Sequence, residues 1–550
     1  MRHFFLFIFI FQFSFSQDDY NEIHTYELIN YHNYIEIHNI GDPLLFLTPL
    51  QNKSLTITHV SDNIRLIDYF DGLLSSDIDS VYSVIIYQTN YKSGGTIKSL
   101  LSRPLSHYHK FKFSLTNLSS QGFYENQHNK YNNTYLYIDY LDSHKPYSYA
   151  MYFLSNNGNY LQNGGVENYT TMVSPDLLTT YLNNANTILK RRIFNFNHRF
   201  KLTETKILEH NFKFTSFNRV FSDLGAQSYF YDLFNYSNSD FYQNQTKINS
   251  FYTDLSLNTD YVNLGLSHYL YQTNLFNLNT FYDIIMSAQT MRKFNNNNFV
   301  LKLKYCPIGL NSNDYNININ INNQFNNVIN NIEFMLSSNK PYFYTNYMDL
   351  DNLTHWLDLE SSRVCYLKIS SHSLDKNISA HVEFNRYENY FYFDEFSVPN
   401  QYPDPINYIN FHISKKWIFN NFIFNSTMCI QHSNSDIMLF PLFFTFNKLT
   451  YKKKISEKIS MNASLTSRIF TQYNQPNFSP LLDIFYNQSQ FFSDFRPFIS
   501  SDIHLNMKNF SFGLIFDNVQ SLFFENSYLI SNYYHTNSVI RLSIKWNLFN

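Results

Sequence analysis

The sequence predicts an all-β fold: a transmembrane antiparallel β-barrel of about 16–20 strands with a polar lumen. Three observations lead there. Strand-length segments alternate apolar and polar residues along much of the chain. Charged residues make up only 15% of the 550, below the roughly 25% usual for soluble proteins. Beyond residue 16 no window of about 18 apolar residues occurs. Mean hydropathy is −0.34, which excludes a helical membrane protein but not a barrel, whose alternation hides from hydropathy averages.

Taken in order, residues 1–16 (MRHFFLFIFIFQFSFS) read as a secretory signal peptide. Arg2 supplies the positive end, Phe4 to Phe11 an apolar run, and Ser14 and Ser16 the small residues before a cut at Gln17. That run is too short to span a bilayer. Residues 17–105 form an N-terminal lead-in, periplasmic or plug-like or contributing first strands. Within it GDPLLFLTPL (41–50) and FDGLLSSD (70–77) read as loops. Residues 106–550 read as the outer-membrane barrel.

The alternation is plainest at 315–322, where Tyr315, Ile317, Ile319 and Ile321 oppose four Asn. At 299–305, Phe299, Leu301, Leu303 and Tyr305 oppose Lys302 and Lys304. At 193–202, Phe194, Phe196, Phe200 and Leu202 oppose Asn195, Asn197, Arg199 and Lys201, with His198 interrupting the apolar face. Residues 380–385 repeat the pattern, and so does the end of the chain, where Ile540, Leu542, Ile544, Trp546 and Leu548 oppose Arg541, Ser543, Lys545 and Asn547. SNNGN (155–159), NSND (311–314) and MKN (507–509) read as turns. The region 176–192 is the best candidate helix. Aromatic and Asn-rich stretches at 224–250, 271–298, 340–362, 386–407 and 471–496 read as extracellular loops.

The polar faces carry mostly Asn, Ser, Thr, Tyr and Lys, and the apolar faces large Phe, Leu, Ile and Tyr. A barrel in lipid wants that division, and closure pairs every backbone group that hydrocarbon leaves without water. A secreted array of β-sandwiches or a solenoid would alternate too, but would carry more outward charge or a short repeat. Asn, Ile, Phe, Tyr and Lys are also what AT-rich coding enriches, so residue order carries the argument.

Net charge is −3, which argues against a nucleic-acid partner. Cys306, Cys365 and Cys429 fit neither a disulfide framework nor a zinc site. His107 and His109 read as a hydrated rim pair, and Asp349–Asp351 and Asp358–Glu360 as solvated loop carboxylates. No G-x-S-x-G, HExxH or Walker A pattern occurs, so no catalytic, cofactor or metal residue is assigned. The sequons, as at Asn117 and Asn377, are expected by chance in so Asn-rich a chain. Arg199, Lys201, Lys302, Lys304, Arg541 and Lys545 are the candidate pore-lining residues, since apolar faces on lipid would turn them into the lumen. A dispersed set partnered by Asp and Glu is the expected arrangement, rather than a selective ring.

The C-terminal stretch NFSPLLDIFYNQSQFFSDFRPFISSDIHLNMKNFSFGLIFDNV (477–519) resembles the penultimate strands of the putative-porin family of Bacteroidota outer-membrane β-barrels. The tail 528–550, with Arg541, Ile544, Trp546 and Phe549, resembles that family's closing strand, and QGFYENQHNKYNN (121–133) its extracellular loop. The resemblance implies a porin of the Gram-negative outer membrane: no enzyme, no cofactor, passive diffusion of small hydrophilic solutes through a water-filled barrel. Its implied partners are outer-membrane lipid, the barrel-assembly machinery and those solutes, and an oligomer is compatible. One alternative is a substrate-specific or hydrophobic-compound transporter, marked by an N-terminal plug and a hydrophobic inner surface. A TonB-dependent receptor is disfavoured because the chain is short for 22 strands and a full plug domain. From another class, a secreted β-sandwich adhesin would be released by mild washing.

Overall fold

The computed structural model describes residues 34–36, 39–49, 81–167, 177–224, 230–231, 241–273, 280–294, 296–341, 347–350, 353–356, 359–493, 495–524, 528–535 and 537–549. The expected signal peptide (1–16) and the 70–77 loop lie outside these residues.

A short hairpin comes first, pairing β1 (Tyr34–Glu36) with β2 (Leu44–Phe46). Thirteen strands then run consecutively: β3 (Tyr82–Thr89), β4 (Gly94–Pro104), β5 (His109–Ser120), β6 (Asn129–Tyr140), β7 (Tyr147–Gln162), β8 (Ala185–Thr203) and β9 (Lys206–Leu224). They continue with β10 (Phe241–Thr259), β11 (Val262–Thr273), β12 (Phe281–Phe294), β13 (Asn297–Gly309), β14 (Tyr315–Phe325) and β15 (Val328–Asn339). A loop hairpin, β16 (Tyr347–Leu350) with β17 (Leu353–Trp356), precedes β18 (Ser362–Ser373) and β19 (Ile378–Glu388). A second, β20 (Tyr390–Phe393) with β21 (Pro399–Tyr402), precedes β22 (Ile406–Phe419), β23 (Phe422–Ser433), β24 (Phe443–Lys454) and β25 (Ile459–Phe470). A third, β26 (Asn477–Ser479) with β27 (Ile484–Tyr486), precedes β28 (Phe498–Met507) and β29 (Phe510–Asp517). The last, β30 (Tyr528–Ile530) with β31 (Tyr533–Tyr534), precedes β32 (Val539–Phe549).

Setting the five small hairpins aside, 22 strands form one closed antiparallel barrel. The seam is made by β32, which pairs with β29 (Phe512↔Ile544) on one side and with β3 (Ile85↔Trp546) on the other. The count exceeds the 16–20 expected because the turns at one rim are very short. Two residues suffice between β8 and β9, β10 and β11, β14 and β15, β22 and β23, and β28 and β29. Several use Asn in the left-handed region, as at Asn326 (φ 49°) and Asn420 (φ 47°), which Asn tolerates better than most residues. The opposite rim carries the longer loops, as in bacterial barrels with short periplasmic turns and long extracellular loops.

Large apolar side chains cover the outside. Leu255, Leu264, Leu266, Ile369, Ile409 and Phe411 are all exposed on the wall. The faces turned inward carry Asn, Ser, Thr, Tyr and charged groups, such as buried Asn133, Asn195, Asn211 and Asn385. Cys365 shares the outer face with exposed Ile369, whereas Cys306 and Cys429 are buried.

β3 and β4, within the 17–105 lead-in, belong to the wall. Several local expectations are corrected. Part of 41–50 is strand β2 rather than loop. Residues 185–192 begin β8 instead of a helix, because neighbours on both sides offer ladders that a weak helical pattern cannot match. SNNGN (155–159) continues β7, since there the strand has risen beyond the apolar exterior and Asn faces water. β10 and β12 start inside the stretches 224–250 and 271–298, where aromatic-rich runs mask the alternation.

Candidate functional site at the loop-side mouth

The mouth of the barrel is occupied by the chain itself. The sequence Asn39-Ile-Gly-Asp42 makes a tight turn at the tip of the β1–β2 hairpin. The Asn39 N–H donates to Asp42 Oδ2 at 2.8 Å and the Asp42 N–H to the Asn39 carbonyl at 3.0 Å. Gly41 supplies the required φ of 97°. Asn39 is fully buried against the wall. Its Nδ2 donates to the carbonyls of Ser120 (3.0 Å) and Gln127 (2.7 Å). Its Oδ1 accepts from Ser120 Oγ (2.5 Å) and from the Ile40 N–H (2.8 Å). All four hydrogen-bonding positions of the amide are used, which makes burial of this polar group tolerable. Asn129 on β6 adds a bond from Nδ2 to Asp42 Oδ1 at 2.6 Å, and Ile40 packs on Leu118, Tyr131 and Tyr160.

The open end of the hairpin is held by a different wall. Gln431 on β23 donates from Nε2 to the carbonyls of Leu47 and Pro441, both at 2.7 Å, and accepts from the Tyr408 hydroxyl at 2.8 Å. Arg468 on β25 donates to the Tyr34 carbonyl at 3.3 Å and lies 5.1 Å over the Tyr34 ring. Ile35 and Leu47 pack with Cys429, Phe444, Phe470 and Tyr473. The two anchorages are separated around the ring by β28, β29, β32, β3 and β4. The hairpin is therefore a chord across the mouth, strung between the early and late strands of the barrel.

Loops add to the cover. The β26–β27 hairpin leaves the wall between β25 and β28 and reaches β9 on the far side of the ring. There Arg219 (4% exposed) donates from Nη2 to the carbonyls of Pro480 (2.8 Å) and Leu481 (2.6 Å). Leu481, Ile484 and Tyr486 pack with Leu182, Phe221, Phe230, Tyr231 and Tyr242. Tyr231 stacks on Tyr242 with ring centres 3.8 Å apart, and its hydroxyl donates to Asp223 Oδ2 at 2.8 Å. Asn487 donates to the carbonyls of Phe393 (2.9 Å) and Ile437 (2.7 Å), tying in two more loops. The Val166 N–H donates to the Asn532 carbonyl at 2.9 Å. Leu45 of β2 meets Phe478, Ile530 and Tyr533 of the loops above it. Burial pushes the Tyr533 hydroxyl well above its ordinary range, and those of Tyr473 and Tyr486 likewise. The cover is thus a packed layer, not a set of loops standing in water.

The six basic residues read from the sequence all alternate with outward apolar side chains. Arg199 and Lys201 oppose exposed Phe200 and Leu202; Lys302 and Lys304 oppose Leu303 and Tyr305; Arg541 and Lys545 oppose Leu542 and Trp546. They sit on β8, β13 and β32, three separate parts of the ring, so the fold does not bring them together. Among the described residues, Arg199 pairs with Glu209 (3.1 Å), Lys201 with Glu204 (2.8 Å) and Arg541 with Asp517 (2.5 Å). His107 and His109 lie at the short-turn rim, where His109 bonds Ser106 Oγ at 3.0 Å and packs on Tyr140. Among the described residues no group of three His, Cys, Asp or Glu could hold a metal. Asp351 and Asp358 fall outside the described residues. Asn39, Arg219, Gln431 and Arg468 were not singled out from the sequence. Only the turn signal in Asn39-Ile-Gly-Asp-Pro43 was readable, and the partners that fix the spans across the mouth lie 81 to 434 residues away.

Compared with known proteins, residues 66–550 match the family model described as "Putative porin". No curated protein matches the chain. Three solved structures illustrate its fold neighbours. The siderophore receptor PirA from Acinetobacter baumannii has a TM-score of 0.61 at 10% identity, over 86% of this chain and 81% of that one. The copper transporter OprC has a TM-score of 0.63 at 7% identity, over 86% and 84%. The FrpB iron transporter from Neisseria meningitidis has a TM-score of 0.61 at 10% identity, over 87% and 83%. At these identities the likeness is one of fold.

Proposed function

We propose, from the premise that the chain belongs to the putative-porin family and sits in the Gram-negative outer membrane, that it is a gated, solute-specific transporter rather than an open diffusion pore. The observation that carries this reading is the double span across the mouth. The N-terminal hairpin bridges β5–β6 to β23–β25, and the β26–β27 hairpin crosses to Arg219 on β9. A solute entering from the loop side meets this layer before it meets the lumen. Fold neighbours bearing the names of a siderophore receptor, a copper transporter and an iron transporter are consistent with uptake of a selected solute. Family and fold point to transport and not to catalysis. The basic residues Arg199, Lys201, Lys302, Lys304, Arg541 and Lys545 would line the path below the cover as dispersed positions, with Arg199, Lys201 and Arg541 paired with carboxylates. The signal peptide at 1–16 delivers the chain to the periplasm for assembly.

Planar-bilayer conductance tests the reading. The full-length protein is expected to show little steady current, and deletion of residues 34–48 to give large ohmic steps. Large steps from the intact protein would return it to passive diffusion of small hydrophilic solutes.

A further inference from the structure

On β6 to β10 the outer surface changes character along one line. The hydrogen-bond register places Leu136, Phe153, Phe194, Phe214 and Phe251 in a single outward row. Phe153 and Phe194 are exposed, and the rings of Phe214 and Phe251 touch at 4.8 Å. Two residues further toward the loops the row reads Thr134, Ser155, Arg192, Ser216 and Asn249. The next reads Asn132, Asn157, Lys190, Asn218 and Lys247. Lys190, Arg192 and Lys247 are exposed, and so is Lys130 one row higher on β6. Among the described outward residues of these five strands above the line there is no carboxylate. β8, β9 and β10 are 19 residues long, roughly twice the ~9–11 that a membrane needs, so these rows stand clear of the hydrocarbon.

We propose that this face binds a phosphorylated lipid headgroup of the outer leaflet. Lys190 and Lys247 sit two strands apart, about 10 Å at ordinary strand spacing, with Arg192 about 7 Å along β8 from Lys190. That triangle presents one guanidinium, which grips phosphate with a fork of donors, and two ammonium groups. Asn157 and Asn218 flank Lys190 and offer amide donors to sugar or phosphate oxygens. A lipid is favoured over a soluble anion because Arg192 borders the Phe row directly and Lys190 and Lys247 stand one row beyond it: acyl chains lie on the rings while the phosphates meet the bases. The inward face of the same strands plays no part, so this site is independent of the solute path.

Native mass spectrometry of the full-length protein, with bis-phosphorylated lipid A as probe, tests the assignment. The intact protein is expected to retain the phosphorylated glycolipid in preference to its dephosphorylated form. Lys190→Gln, Arg192→Gln and Lys247→Gln together should lower that retention by about tenfold, the sum of three exposed ion pairs. Unheated gel mobility confirms that this variant still forms a barrel. Lys302→Gln with Lys304→Gln, on the inward face of β13, should leave retention unchanged. Equal retention by the triple variant, equal binding of the dephosphorylated lipid, or full displacement by an equal concentration of inorganic phosphate would each overturn the proposal.

Discussion

At the scale of single residues, Asn39 is the most consequential side chain of the mouth. Replacing it with Ala leaves the Ser120 and Gln127 carbonyls buried without their donor, at a cost of about 1–3 kcal/mol. Since that cost falls on the hairpin and not the wall, Asn39→Ala is expected to raise bilayer conductance while the barrel keeps its unheated gel mobility. Asp314, in the turn between β13 and β14, gives a pH-dependent test. It accepts from the Lys340 N–H (2.7 Å) and from Ser361 Oγ (3.0 Å), yet burial outweighs those bonds and lifts its carboxyl to about 6. The folded state then holds this proton more tightly than the unfolded chain. Its stabilising contribution is full below about pH 4 and is lost as pH rises through about 6. Thermal unfolding in detergent should therefore show Asp314→Asn gaining on the parent protein as pH is raised from about 4 to about 7. A constant difference across that range would remove Asp314 from the account.

At the scale of elements, the wall strands obey a rule that the loops do not. Each wall residue answers to lipid or to the interior, alternately, so a single substitution reports its side. Leu266 on β11 is 51% exposed between Leu264 and His268 on the outer face. Leu266→Arg should cost about 2–4 kcal/mol in denaturant unfolding from vesicles, the figure for a cation near the bilayer midplane. The loops are held instead by contacts between distant segments. Gly165 has φ 96°, and a Cβ there would stand 2.7 Å from Asn532 Cβ and 2.9 Å from its carbonyl oxygen. Gly165→Ala should therefore separate the 163–184 loop from the 518–538 loop, read as faster proteolysis in both with the barrel intact. Sequence alternation located most wall strands but misplaced 155–159 and 185–192, where β7 and β8 continue beyond the apolar exterior. There nothing forces one face to be greasy, so the period-two signal fades although the ladder goes on.

At the scale of the whole molecule, the closed ring and its cover pull toward different functions. A cylinder of 22 strands is wide enough for a water-filled channel, but its mouth is crossed from two directions. Arg219→Ala is expected to release the β26–β27 span and raise conductance, and combining it with removal of residues 34–48 should exceed either change alone. If the two changes together give no more current than one, the spans do not act as separate barriers. The dispersed basic residues make a second whole-molecule prediction. Because β8, β13 and β32 are far apart in the ring, Lys302→Glu with Lys304→Glu should shift ion selectivity of the opened barrel only slightly.

The chain's order of residues determined the barrel and its inward and outward faces. Those features follow from what each residue meets locally, lipid or water, every second position. The number of strands and everything at the mouth were decided by the tertiary structure alone. Asn39 finds its partners at Ser120 and Gln127, Gln431 at Leu47, and Arg219 at Leu481. Such pairs depend on how the ring closes, and ring closure brings together segments whose separation along the chain leaves no periodic trace.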